Sequence, residues 1–217
     1  MKEKELIMLD DLEILIFDHC CTLVDNLYLT YKITMFIFEK LGLEEITLEE
    51  FKRESQVPFF EFYQKFTNAP KNEIDRFFVE GSVIFEREIE VNLFPGIKDM
   101  LNYIDMKGLP MAILSSYMEK DIDLNLGRLG INHYFFEVVG DIDNKVEGLR
   151  VLLGENNIEP KKAAYMGDMP YDITAGKEAG LGMIIAVLWG LSSKEKLLEA
   201  GPDYLLESPN DIVRLFI

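Results

Sequence analysis

The stretch ILIFDHCCTLVDN, from Ile14 to Asn26, passes from an uninterrupted apolar run into a cluster of small and polar residues. A short apolar run that stops abruptly at an acidic or small residue is typical of a strand buried on both faces of a parallel sheet. Four runs of this kind predict four buried strands: Glu13–Asp18, Met111–Ser115, Ala163–Asp168 and Met183–Leu188.

The segments between these runs have the apolar spacing of amphipathic helices. Gly180 follows the last of these segments and suits a helix C-terminus, because glycine readily adopts the left-handed conformation found there. Alternating strands and helices predict an α/β fold built on a Rossmann-like doubly wound parallel sheet. The predicted helices are Gly96–Lys107, Glu119–Leu129, Val146–Asn156 and Pro170–Ala179.

One long segment, 24–92, breaks this alternation. It contains no strand-like run, and phenylalanines such as Phe36, Phe51 and Phe77 recur in windows with helical spacing. The sequence NLFPGI that follows carries the Pro-Gly pair expected where the chain turns back into the sheet. We therefore predict an α/β core domain formed by residues 1–23 and 93–217, with an all-helical cap domain, residues 24–92, inserted into it.

The composition narrows the range of partners and compartments. The chain has 217 residues and a net charge of −17, which opposes binding to nucleic acid and to anionic membranes. No apolar run approaches the roughly 20 residues that span a bilayer, and the N-terminal residues do not form a targeting signal. Cys20 and Cys21 are adjacent, which leaves only a strained vicinal disulfide between them. We expect a cytoplasmic protein with neither a nucleic-acid nor a membrane partner.

Polar side chains of complementary chemistry end the predicted strands. Asp18, Ser115 and Asp168 each close an apolar run, and Lys145 follows a further apolar stretch, FFEVVGDIDNK. Ligands of open parallel sheets bind beyond the carboxyl ends of the strands, where the strand order reverses. The sequence therefore predicts a site in which carboxylates, a hydroxyl and an ammonium group meet on one rim of the sheet.

These residues, in this order, resemble the motifs of the haloacid dehalogenase superfamily. Its phosphatases carry DxDGT after the first strand, Ser or Thr after the second, a lysine, and then GDxxxD, which this chain matches most specifically in YMGDMPYDITAGKEAG, Tyr165–Gly180. The inserted helices resemble the family's C1-type helical cap, which closes over the site and selects the substrate. The tail from Val187 to Ile212 resembles phosphoglycolate phosphatase-like members, in which Asp203 would begin a last short strand.

The resemblance implies a Mg²⁺-dependent phosphohydrolase that acts on a small phosphorylated metabolite through an aspartyl-phosphate at Asp18. It implies that Mg²⁺ is bound by Asp18, by the backbone carbonyl of Cys20 and by Asp168. Asp172 would contribute to the metal site through a water molecule or by holding the loop in place. Hard oxygen ligands of this kind are the ones Mg²⁺ prefers.

The remaining site residues follow from the same resemblance. Ser115 is expected to donate to a phosphoryl oxygen, and Lys145 to offset the charge between the nucleophile and the phosphate. Ser116 stands where many relatives have Asn, and Val146 where many have Pro, so both concern substrate positioning. The sequence leaves open whether the protein is a monomer or a homodimer.

The chain departs from the family pattern at the second aspartate of DxDGT, which exchanges protons with the leaving group and with water. Cys20 occupies that position. A thiol of pKa about 8.5, among carboxylates and phosphate, stays neutral and is a poor base. General acid–base catalysis contributes roughly 10²–10⁴-fold, so we expect slow hydrolysis of alkyl phosphates. His19 is a candidate substitute, although alternation along the strand predicts that it points to the face opposite Asp18.

Three other functions stay open at the level of sequence. A 2-haloacid dehalogenase uses the same aspartate without metal and also lacks the acidic residue at the position of Cys20, but the pair Asp168 and Asp172 favours the phosphatase. A phosphonate hydrolase would require a cap lysine to form a Schiff base. A non-catalytic binding or regulatory protein can retain the fold after losing the second aspartate. The candidate cap lysines are Lys32, Lys40, Lys52 and Lys65.

Overall fold

The structure is a computed structural model that describes residues 8–216. Residues 1–7 and Ile217, which the predicted core domain includes, lie outside the described residues. The strands of the described chain are β1 (Ile14–Phe17), β2 (Val24–Asp25), β3 (Asn92–Leu93), β4 (Met111–Leu114), β5 (Phe135–Val139), β6 (Ala163–Gly167), β7 (Met183–Val187) and β8 (Tyr204–Leu206). The α-helices are α1 (Leu27–Lys40), α2 (Leu48–Glu54), α3 (Phe59–Tyr63), α4 (Lys71–Phe85), α5 (Ile97–Met106), α6 (Glu119–Leu129), α7 (Lys145–Glu155), α8 (Pro170–Ala179) and α9 (Lys194–Ala200).

Six of these strands form one sheet in the order β5-β4-β1-β6-β7-β8, and every neighbouring pair is parallel. This is the order of a doubly wound Rossmann-like sheet, so the predicted fold class is confirmed. The chain winds outward from β1 to β4 and β5, and then returns to the other side of β1 at β6. The strand order therefore reverses between β1 and β6, and the crevice beyond their carboxyl ends is where such sheets bind ligands.

Local sequence explains why these elements begin and end where they do. All four residues of β1 are buried, as expected for a parallel strand covered on both faces. The side chain of Asn144 accepts hydrogen bonds from the backbone N–H groups of Val146 and Glu147, which caps α7 and starts it at Lys145. Helix α8 has Pro170 in its first turn and is capped after Ala179 by Gly180, whose φ of 86° lies in the left-handed region.

The core packs apolar side chains of the sheet against helices. Ile14 and Ile16 of β1, Leu149 of α7, Ile173 of α8 and Ile184 of β7 belong to one buried cluster. Because the side chains of β1 alternate, Ile14 and Ile16 point to the same face of the sheet. This cluster fixes α7 and α8, the two helices whose first turns carry Lys145 and Asp172.

The described chain divides into two compact units, one comprising the residues up to Leu23 with those from Leu93 onward, and the other comprising Val24–Asn92. The second unit contains α1 to α4, and its core includes a cluster of aromatic rings. The ring centroids of Phe38 and Phe66 lie 5.0 Å apart, and those of Phe51 and Phe62 lie 5.6 Å apart. Among the phenylalanines quoted from the sequence, Phe51 is completely buried, whereas Phe36 is only partly buried.

The elements β2, β3 and α9 were not predicted from the sequence, and β5 was noted only as a further apolar stretch. β2 and β3 are two residues long and pair with each other in a separate small sheet. Two residues are too few to show the alternation by which a strand is recognised, which is why 24–92 showed no strand-like run. Helix α9 has 7 residues and is likewise too short to show a clear apolar period. No helix within residues 8–216 has the length and apolar character needed to cross a membrane.

Candidate active site

The carboxyl end of β1 places Asp18 at the point where the strand order reverses. Its backbone N–H donates a hydrogen bond to the carbonyl of Met166 at 2.8 Å, which continues the β1–β6 ladder one residue beyond the strand. The Asp18 side chain is buried, which removes its carboxylate oxygens from solvent. A buried carboxylate oxygen of this kind requires a charged partner, because desolvation of an ionised group is costly.

The turn from β6 to α8 positions the two other acidic residues of the site. Asp168 follows β6 directly, and Asp172 lies in the first turn of α8, where its Oδ2 atom accepts the backbone N–H of Met169 at 2.9 Å. A Cβ atom at Gly167 would lie 2.4 Å from Asp172 Oδ2, so only glycine at this position allows the strand to approach the Asp172 side chain this closely. Asp172 therefore caps its own helix and also faces the site.

Lys145 forms ion pairs with acidic residues from both loops, Asp18 after β1 and Asp172 after β6. Its Nζ atom lies 3.1 Å from Asp18 Oδ1 and 2.6 Å from Asp172 Oδ1, and its side chain is almost fully buried. Burial by itself lowers the pKa of Lys145, but the carboxylates of Asp172 and Asp18 raise it by more, and the net pKa lies well above its ordinary value. The residue is therefore a permanent cation in this site.

The acidic groups outnumber this cation. The pKa of Asp168 is raised from its ordinary 3.8 to about 8, mainly by burial and then by the nearby carboxylates of Asp172 and Asp18, against the opposing effects of the Leu191 N–H and of Lys145. Burial also raises the pKa of Asp172, against the opposing effect of Lys145. Without a bound cation, the raised pKa keeps Asp168 protonated at neutral pH. When all three carboxylates are ionised, they and the ammonium of Lys145 carry a net charge of −2, which a divalent cation would balance.

The donor set suits Mg²⁺. Asp18, Asp168 and Asp172 each offer a carboxylate oxygen, and these oxygens lie within 4.8 Å of one another. Ligand oxygens of one Mg²⁺ ion lie roughly 3 to 4 Å apart, a spacing close to that of this set. All three carboxylates are buried, which is further evidence that these residues fit a hard divalent cation.

The second strand of the predicted rim ends at Ser115. β4 lies beside β1 with Ile113 opposite Phe17, so the chain beyond β4 emerges next to Asp18. Ser115 is buried, its N–H donates to the carbonyl of Val139, and its Oγ atom accepts the N–H of Tyr117 at 3.4 Å. Ser116 is exposed.

Residues 15–186 match the family described as haloacid dehalogenase-like hydrolases. The chain belongs to this family. The resemblance drawn from the sequence motifs is thereby confirmed, and the protein is a hydrolase of the haloacid dehalogenase family.

Individual relatives differ in their names. The hydrolase is 33% identical over 126 residues to a phosphoglycolate phosphatase of Synechococcus elongatus, an alignment that covers 57% of this chain and 59% of that protein. It is 26% identical over 175 residues to the pyrophosphatase PpaX of Bacillus velezensis, covering 76% of this chain and 81% of the relative. Its fold is similar to that of a haloacid dehalogenase-like family protein from Streptococcus pneumoniae, with a TM-score of 0.82, 21% identity, and coverage of 94% and 98% of the two chains.

The hydrolase differs from the family motif in the loop after Asp18, where the two cysteines lie. Neither forms a disulfide; Cys20 is half-buried, and Cys21 is buried with a φ of 55°. Cys20 Sγ lies 3.6 Å from Nδ1 of His19, whose ring is stacked against Tyr117 at a centroid distance of 6.1 Å. Burial lowers the pKa of His19 to about 4, although Asp18 raises it, so the imidazole is neutral at neutral pH.

Residues that the sequence did not identify hold Asp168 in place. Its Oδ1 atom accepts a hydrogen bond from Thr22 Oγ1 at 3.1 Å, and its Oδ2 atom accepts the backbone N–H of Leu191 at 2.7 Å. Thr22 belongs to the DxDGT-like motif, and this membership was a sequence signal that Thr22 lies in the site. Leu191 acts through its backbone, and no side-chain pattern reveals a backbone donor.

We expect Mg²⁺ to stabilise this hydrolase more strongly at about pH 8 than at about pH 6. Between pH 3.8 and about 8, folded Asp168 retains a proton that the unfolded chain has lost, so in the absence of metal its contribution to stability falls as the pH rises. Mg²⁺ held by the ionised carboxylates would compete with that proton. Mg²⁺ at about 100 times its Kd adds about 2.7 kcal/mol, or about 5–10 °C in Tm for a chain of this size.

Thermal unfolding with MgCl₂ and with EDTA at both pH values measures this effect. Asp168→Asn, which removes the titrating group, should abolish the Mg²⁺ shift and its dependence on pH. An equal Mg²⁺ shift in the wild type and in Asp168→Asn would contradict the prediction.

Proposed function

We propose that the protein is a Mg²⁺-dependent phosphohydrolase that cleaves small phosphomonoesters through an aspartyl-phosphate at Asp18. The observation that carries the proposal is the buried cluster of Asp18, Asp168 and Asp172 around Lys145, at the point where the strand order reverses. Phosphoglycolate phosphatase and pyrophosphatase, the names of two relatives, both describe hydrolysis of small phosphorylated compounds.

In the first step, a carboxylate oxygen of Asp18 attacks phosphorus. The new bond joins that oxygen to the phosphoryl group, and the bond to the leaving oxygen breaks with its electron pair. Lys145 stays charged and stabilises the negative charge that accumulates beside Asp18. When bound, Mg²⁺ polarises the phosphoryl oxygens and neutralises charge. We assign its binding to Asp18, Asp168 and the carbonyl of Cys20.

In the second step, water attacks the aspartyl-phosphate, releases inorganic phosphate, which keeps the protons of the water, and regenerates the carboxylate. Ser115, at the end of β4, is proposed to donate a hydrogen bond from its hydroxyl to a phosphoryl oxygen in both steps, with Ser116 beside it as a substrate contact. Both oxygens of Asp172 are engaged, one by Lys145 and one by the N–H of Met169. Because the ammonium of Lys145 at 2.6 Å already balances the charge of Asp172, whereas the partners of Asp168 are uncharged, we assign Asp172 to holding Lys145 and the loop after β6 rather than to direct contact with the metal.

The proton transfers set the preference among substrates. Cys20 supplies no carboxylic acid, and neutral His19 lacks the imidazolium proton that a general acid would donate at neutral pH. Leaving groups that are stable as anions need little protonation, so aryl phosphates, acyl phosphates and pyrophosphate are expected to react faster than alkyl phosphates such as phosphoglycolate. General acid–base catalysis accounts for roughly 10²–10⁴-fold, which sets the scale of the difference.

A phosphatase panel tests the proposal. Phosphate release from an aryl phosphate, an acyl phosphate, pyrophosphate and phosphoglycolate is measured with Mg²⁺ and with EDTA. We expect turnover with Mg²⁺ only, and acid-quenched samples should carry one phosphoryl group on the peptide that contains Asp18. Chloride release from a 2-haloacid in EDTA would show a dehalogenase instead. No release from any compound and no phosphorylated Asp18 would favour a binding protein.

A further inference from the structure

The segment after β7, Trp189–Ser192, contacts the loops that carry the acidic residues. The indole Nε1–H of Trp189 donates to the carbonyl of Thr22 at 2.9 Å. The hydroxyl of Ser192 contacts the sulfur of Met169, the residue after Asp168, at 3.1 Å. The N–H of Leu191 also donates to Asp168. These contacts connect the 189–192 segment both to the DxDGT-like loop, residues 18–22, and to the loop after β6.

Gly190 lets this segment approach closely. A Cβ atom at Gly190 would lie 2.3 Å from the Cβ of Asp168 and 2.5 Å from the carbonyl oxygen of Cys21, distances that real Cβ atoms do not reach. Neither neighbour is the end of a long flexible side chain, so neither can move aside cheaply. A side chain at this position would push the segment away from Asp168.

The contacts form a closed ring around the Asp168 carboxylate. Thr22 donates to Oδ1 through its hydroxyl, and its own carbonyl accepts from Trp189. Two residues further along the chain, Leu191 donates to Oδ2. Because both oxygens accept a hydrogen bond from a fixed donor, the carboxylate cannot rotate freely, and the remaining lone pairs point in defined directions. Hydrogen-bond donors of this kind orient metal-binding carboxylates and adjust their affinity for the metal.

We propose that the 189–192 segment is a positioning element of the Mg²⁺ site, in which Gly190 and Trp189 seat the Leu191 N–H and Thr22 on the two oxygens of Asp168. The inference rests on the proposed function, because it assumes that Asp168 binds Mg²⁺. The alternative is that the segment only packs two loops together. In that case its disruption would lower stability and leave the affinity for Mg²⁺ unchanged.

Gly190→Ala tests the proposal in the full-length protein. Mg²⁺ binding is measured by isothermal titration calorimetry with MgCl₂ alone, so the readout does not depend on catalysis. Loss of the carboxylate's outer partners is expected to weaken Mg²⁺ binding by roughly 10–100-fold.

Gly182→Ala is the matched control. A Cβ atom there would lie 2.1 Å from the carbonyl oxygen of Lys161, a comparable clash next to the start of β7 and thus at the opposite end of the same strand. It should lower Tm as Gly190→Ala does and bind Mg²⁺ like the wild type.

The outcomes separate this inference from the proposed function. If the wild type binds no Mg²⁺, the proposed function fails and the inference fails with it. If the wild type binds Mg²⁺ and Gly190→Ala binds it equally well, only the inference is overturned. If Gly190→Ala does not fold, Trp189→Phe replaces it, since this change removes one hydrogen bond and keeps an aromatic ring. Its Mg²⁺ affinity should fall by roughly fivefold, and wild-type affinity in that variant would overturn the inference.

Discussion

Asp18→Asn is expected to reduce Mg²⁺-dependent phosphate release from an aryl phosphate by roughly 10⁴-fold or more, because an amide oxygen is too weak a nucleophile to form the aspartyl-phosphate. Removing the nucleophile of a covalent hydrolase costs factors on the order of 10⁶ where this has been measured. The measurement is steady-state release at saturating substrate, together with acid-quenched mass analysis of the peptide that contains residue 18. The phosphorylated peptide should disappear with the activity.

The design of this experiment separates chemistry from folding. Asn has nearly the shape of Asp, and replacing Asp18 removes one negative charge from a buried site in which acidic groups outnumber cations. The metal-free Tm of Asp18→Asn should therefore equal or exceed that of the wild type. Asp123→Asn, on the exposed face of α6, removes one charge from the surface and should keep full activity. Turnover of Asp18→Asn within tenfold of the wild type would rule out Asp18 as the nucleophile.

Cys20→Asp is expected to raise kcat/KM for an alkyl phosphate by roughly 10²–10⁴-fold and to raise it far less for an aryl phosphate. A carboxylic acid at this position can protonate an alkoxide as it leaves and then accept a proton from the attacking water. An aryloxide leaves without such help, so the first step gains little. The position can hold a carboxylate, since Cys20 is half-buried and lies beside the ring of His19.

Cys20→Asn is the control for this prediction. It has the size and polarity of Asp without an ionisable proton, and it should stay near the wild-type rate on both substrates. Both variants keep the backbone carbonyl at position 20, so calorimetric Mg²⁺ affinity should change little in Cys20→Asn. Equal and small effects of Cys20→Asp on the two substrates would show that the thiol does not occupy the place of the missing acid.

Much of the core fold was predictable because buried parallel strands have a strong local signature. The apolar runs at Ile14, Met111, Ala163 and Met183 each became a strand of the sheet, with ends within about one or two residues of those predicted. Helix α8 was equally clear, since its sequence contains both a proline in the first turn and a glycine at the end. In each case the signal lies within a few neighbouring residues.

Elements without such a signature were missed. Helix α9 and the strands β2 and β3 are too short to show a period, and their formation depends on partners distant in the sequence. The helix start at Lys145 follows from the Asn144 cap, which the apolar pattern alone did not reveal. The difference of one residue is informative, because it puts Lys145 in the first helical turn, where its backbone N–H meets the hydroxyl of Tyr171 at 3.2 Å.

The sequence by itself determined the α/β class, the family, and the identity of the groups at the strand ends, because strand burial and the ordered motifs of Asp18, Ser115, Lys145 and Asp168 are written in local residue order. Only the tertiary structure decided how these groups influence one another. The raised pKa of Asp168, the pairing of Lys145 with two carboxylates, and the approach of Gly190 to Asp168 depend on distances across the sheet. Electrostatic energies and steric contacts change steeply with such distances, and no local pattern encodes them.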